Sequence, residues 1–72
     1  MTRFDLTNNY KIIIDTQYSI SNDTSHALQS AWDMCMSMGR QHGFSDVVCH
    51  ECWCRAIQMR KREGGSNGNN KI

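Results

Sequence analysis

The sequence predicts an α+β fold: a short N-terminal β-strand or β-hairpin, then two α-helices packed antiparallel, then a disordered C-terminal tail. Three observations lead there. Residues 10–20 alternate β-forming and mostly polar side chains, two later stretches sort their side chains at helical period, and the last residues are rich in Gly and Asn.

The strand is read from Tyr10, Ile12, Ile14, Thr16, Tyr18 and Ile20 on one side and the mostly polar Lys11, Ile13, Asp15, Gln17 and Ser19 on the other. Phe4 and Leu6 supply a shorter partner strand through the loop Thr7-Asn8-Asn9, which places Leu6 opposite Tyr10 and Phe4 opposite Ile12. The first helix follows the capping residues Asn22-Asp23-Thr24-Ser25, gathers Leu28, Ala31, Trp32, Cys35, Met38 and Gly39 on one side, and ends at Gly43. The second is capped by Ser45. Its apolar arc is Val48, Cys49, Cys52, Trp53, Ala56, Ile57 and Met59, and Gly64-Gly65 stops it. One small domain over 1–64 and a disordered tail over 65–72 complete the organisation.

A chain of 72 residues with 39% hydrophobic side chains has room for one core. No apolar run is long enough for a membrane span and the N-terminus lacks a secretory pattern, so the expected compartment is the cytoplasm, with reduced cysteines. A net charge of +1 is unlike that of strongly basic nucleic-acid binders.

The densest chemistry is in Cys49-His50-Glu51-Cys52-Trp53-Cys54. Cys49 and Cys52 have the spacing of half a zinc site, and Cys35 on the preceding helix would reach them. A fourth ligand is missing: Cys54 lies far round the helix, His42 is ~10 Å along the axis from Cys35, and His50 points outward. No metal and no cofactor are expected, and Cys35, Cys49 and Cys52 read as buried apolar residues. Cys54 and His50 form an i, i+4 thiol–imidazole pair, but no third group orients them and no loop shapes an oxyanion hole. The dispersed acids make no catalytic pair, so no enzymatic activity is expected.

Met34, Met36 and Met38 widen the apolar arc of the first helix to ~200°, against the ~100° stripe of an ordinary surface helix. An adaptable methionine patch suits a protein interface. With Arg55, Arg60, Lys61 and Arg62 it forms the candidate partner-binding set. A protein partner is favoured. The function expected is that of a small accessory protein, of the kind viruses and mobile elements encode, that inhibits or modulates a larger host protein by occupying its surface.

The alternative is DNA binding. A strand followed by two helices, joined through Gly43-Phe44-Ser45-Asp46, resembles the order of elements in ribbon-helix-helix repressors, dimers whose paired strands enter the DNA major groove. The resemblance spans Tyr10 to Arg62 and implies a homodimer with Lys11, Ile13 and Asp15 facing DNA. Asp15 would repel phosphate there, and Ile13 cannot hydrogen-bond a base edge. Residues 38–52 also read as a helix-turn-helix with Gly39 at its small position and Gly43 in its turn. That arrangement would present Asp46 and Glu51 to DNA, the wrong sign.

Overall fold

The computed structural model describes the backbone of residues 1–69 and the side chains of residues 1–62. Those residues form three helices and no strand: α1 Arg3–Ile20, α2 Thr24–Gln41 and α3 Asp46–Asn69. The fold is all-α. The expected α+β class, with its N-terminal strand or hairpin, is therefore corrected.

The reason lies in arithmetic. Leu6, Tyr10, Ile14 and Tyr18 recur every four residues, and every one is even-numbered. They satisfy a period of two as well as the i, i+4 stripe of a helix. In the structure Leu6, Tyr10 and Ile14 are wholly buried, whereas Ile12 is 62% and Ile20 72% exposed, as a helix requires and a strand face would not. The start is fixed by a capping box. Thr2 Oγ1 accepts from the Asp5 amide at 3.1 Å, and the Asp5 carboxylate accepts from the Thr2 amide at 3.3 Å. Thr7, Thr16 and Ser19, poor helix formers, donate their hydroxyls to carbonyls four residues back at 2.9, 2.8 and 3.1 Å. The residues expected as a hairpin loop, Thr7-Asn8-Asn9, lie inside this helix.

α2 begins where the sequence places it. Asp23 is its N-cap, accepting from the Ser25 amide at 3.0 Å and the His26 amide at 3.5 Å. It ends in a Schellman turn: Phe44 N–H reaches Gly39 O and Gly43 N–H reaches Arg40 O, both at 3.0 Å, with Gly43 at φ +84°. Ser45 Oγ then accepts from the Val48 amide at 3.3 Å to start α3. The expected stop at Gly64-Gly65 is overrun, since α3 continues to Asn69. Glycine weakens a helix by ~1 kcal/mol but does not forbid it. The rest of the expected tail, 70–72, lies outside the described residues.

Short links make successive helices antiparallel. Gln17 on α1 meets Met34 on α2 at 3.4 Å, and Trp32 on α2 meets the edge of Trp53 on α3 with centroids 5.2 Å apart. α1 and α3 consequently run in the same sense: Cys52 Sγ lies 3.6 Å from Arg3 O near their N-terminal ends, and the Arg60 guanidinium lies 4.0 Å over the Tyr18 ring towards the other. α1 supplies the bulky core residues, while α2 and α3 face it with Ala31, Cys35, Gly39, Cys49, Cys52 and Ala56. Small side chains on two helices let both close on the large ones of the third.

The ribbon-helix-helix resemblance loses its ribbon. Lys11, Ile13 and Asp15 lie on α1, and the described residues offer no strand edge on which two copies would pair. Asp15 instead pairs with Lys11 on its own helix at 2.9 Å and joins α1 to α3 by an ion pair to Arg60. No helix among the described residues is long and apolar enough to cross a membrane.

Candidate functional site

The methionines do not form one surface. Met36 is buried against the core, Met38 is half-buried against it, and Met34 alone is exposed, at 47%, beside Gln17. The arc that looks too wide for a two-helix protein meets Gln17 of α1 at Met34 and lies beside Asp46 and His50 of α3 at Met36.

The basic residues divide too. Arg60 turns inward along the bundle to Asp15 and Tyr18, so its role is to fasten α3 to α1. Lys61 is exposed. Arg55 and Arg62 enter a groove of about 450 Å³ between α1 and α3. Arg3, Phe4, Thr7 and Asn8 form its α1 wall, and Glu51, Cys52, Arg55, Gln58, Met59 and Arg62 form its α3 wall. Thr7 and Cys52 are buried and make the floor.

The charge in this groove is largely unspent. Arg3 approaches Glu51 only to 4.0 Å, with both side chains more than half exposed, a pairing of little energetic worth. Neither Arg55 nor Arg62 makes an ion pair among the described residues. Among the described residues lining the groove, three guanidiniums stand against one carboxylate. Beside them Phe4 holds its ring 72% exposed. A planar five-donor fork is suited to carboxylate or phosphate oxygens, and the ring offers an apolar seat next to it.

A second groove, about 550 Å³ between α2 and α3, contains Trp32, Met36, Arg40, Asp46 and His50. Its charged side chains already have partners. Arg40 Nε donates to Asp46 at 3.1 Å, Asp33 accepts from Gln29 at 3.3 Å, and His50 packs edge-on against Trp32 at 5.9 Å.

The cysteine motif sorts as its helical reading requires. Cys49 and Cys52 are buried and His50 and Cys54 exposed. Among the described residues, no three His, Cys, Asp or Glu side chains are grouped to hold a metal ion. Burial pushes the Cys35 thiol up to about 12. Cys54 Sγ lies 3.9 Å from His50 Nδ1, and among the described residues no further hydrogen-bonding side chain orients the imidazole to build a nucleophile. The Tyr10 hydroxyl is enclosed without a partner of hydrogen-bonding geometry; burial first, then the adjacent Cys49 thiol, raise its pKa.

Of the groove residues, Arg55 and Arg62 are legible in the sequence as candidates, and Arg3, Phe4, Asn8 and Gln58 are not. The capping pattern Thr2-x-x-Asp5 is the signal that would put Arg3 and Phe4 on a helix. Nothing in the sequence joins that helix to one beginning more than forty residues later.

Compared with known proteins, the chain matches no family model, no curated protein and no solved structure.

Proposed function

We propose that the chain is a non-catalytic binding protein of the cytoplasm that modulates a larger protein partner by occupying its surface, with the α1/α3 groove as its contact face. One observation carries this reading: Arg3, Arg55 and Arg62 converge from two helices on one groove beside an exposed phenylalanine, with Glu51 the one carboxylate among the described residues lining it. An apolar seat rimmed by unpaired arginine is the make-up of an interface anchor. Nothing comparable supports turnover, because among the described residues no further hydrogen-bonding side chain orients the imidazole of the exposed thiol–imidazole pair.

The test is parallel capture from one host lysate by the immobilised wild-type chain and an Arg55→Glu/Arg62→Glu variant of matching circular dichroism. A protein retained by the first and lost by the second supports the reading. Equal retention by both removes the groove from the function. Tight binding to a DNA duplex that weakens steeply with salt would replace the protein partner by nucleic acid.

A further inference from the structure

We infer that the α1/α3 groove receives an acidic amphipathic helix of a different protein, with two carboxylates seven positions apart and an apolar side chain between them. This rests on the reading of the groove as the contact face.

The charge comes first. Arg55 and Arg62 hold no ion pair among the described residues, and Arg3 has only the loose approach to Glu51. Unpaired guanidiniums on one wall select an anionic occupant, and their fork favours carboxylates taken two oxygens at a time.

Spacing gives the register. Arg55 and Arg62 stand seven residues apart on α3, two turns and ~10.5 Å along its axis. A helix lying beside α3 repeats that spacing in its own positions i and i+7. Met59 lies between the two arginines, and Phe4 faces the same groove from α1. The occupant's residue at i+3 or i+4 therefore meets apolar surface, and a Leu or Met there completes the contact.

The bundle argues for a helix over an extended segment. Among the described residues there is no sheet edge, so an extended chain would gain no backbone hydrogen bonds from the bundle. A helix brings its hydrogen bonds with it. The groove between two helices running in the same sense is also the vacant fourth position of a four-helix arrangement.

The chain does not carry the pattern itself. Its acids at 5, 15, 23, 33, 46, 51 and 63 include no two that lie seven apart. A second copy thus offers no matching face, and the occupant is a different protein. Single-stranded nucleic acid is disfavoured because, among the described residues lining the groove, Phe4 is the one aromatic ring on which its bases could stack.

The experiment uses the full chain and three fluorescein-labelled probes, read by anisotropy at physiological ionic strength. One is a helical peptide of roughly 18 residues, about 27 Å long, with glutamates seven positions apart and leucines three and four positions after the first. Another has the same composition with the glutamates moved to adjacent positions. The last is a single-stranded oligonucleotide of about 12 nucleotides. The patterned peptide should bind about tenfold more tightly than the permuted one. Arg55→Glu/Arg62→Glu should weaken it about tenfold, Phe4→Ala about threefold, and Arg40→Glu in the other groove not at all. Equal binding of both peptides overturns the register, and preference for the oligonucleotide overturns the partner class. If neither peptide binds while lysate capture remains sensitive to Arg55→Glu/Arg62→Glu, the acidic-helix inference falls and the groove reading stands. If capture is insensitive as well, both fall.

Discussion

Replacing Gly39 with Ala tests how the three helices meet. Gly39 is the point on α2 where α1 and α3 both come close. A Cβ there would sit 2.5 Å from the Tyr10 hydroxyl oxygen and closer still to Cys49 Sγ, with Cys49 Cβ at 3.4 Å. Neither neighbour can step aside cheaply. The Tyr10 hydroxyl ends a rigid, fully buried ring, and Cys49 is a short side chain held against the core. Two effects oppose each other. Alanine improves the helix by ~1 kcal/mol over glycine, while overpacking a tight contact costs ~1–3 kcal/mol. With two contacts below normal separation the cost belongs at the upper end, so Gly39→Ala should destabilise the fold by about 1–2 kcal/mol. For a domain of this size that lowers Tm by roughly 7–13 °C. Thermal and urea unfolding followed by circular dichroism read it directly. Tyr10→Phe removes the hydroxyl that the new methyl meets, and an atom that has no hydrogen-bond partner to lose. Alone it should be neutral or slightly stabilising; combined with Gly39→Ala it should recover part of the loss. A Gly39→Ala chain that melts above wild type would refute the close three-helix contact.

Asp15 is pushed up by partial burial, but its hydrogen bonds and charge interactions with Lys11 and Arg60 outweigh this and hold the carboxyl below its ordinary value of 3.8. A depressed folded pKa means that the ion pairs stabilise above that value and that the contribution is lost as pH falls through the folded pKa. Stability measured from pH 5 downwards should therefore fall less steeply in Asp15→Asn than in wild type, and identical slopes would remove Asp15 from the acid limb. Arg60→Ala should cost about 1 kcal/mol, the pair being more than a third exposed and screened accordingly, with the Tyr18 contact as part of the loss; no change in the urea midpoint would contradict its fastening role. A thiol reagent on the native chain should modify Cys54 at once and Cys35, Cys49 and Cys52 only on unfolding, so mass spectrometry should show one adduct before denaturation and four after. Rapid native labelling of Cys49 would place it outside the core.

What the sequence by itself determined was the two later helices and the sorting of their side chains. Asp23, Gly43 and Ser45 announce the ends with local chemistry, and a cap acts within a few residues of itself. The burial of Cys49 and Cys52 against the exposure of His50 and Cys54 follows from one helical turn, which the spacing contains. The tertiary structure decided the rest. Leu6, Tyr10 and Ile14 fit a strand face and a helix stripe alike, and only two helices ready to bury the stripe selected the helix, leaving Ile12 and Ile20 in solvent. Packing likewise left Met34 exposed beside Gln17 while setting Met36 and Met38 against the core, and it drew Arg60 to Asp15 and Tyr18. The groove depended on it most. Arg3 and Phe4 meet Arg55 and Arg62 because α1 and α3 run side by side in the same sense, a relation between distant segments that no local periodicity encodes.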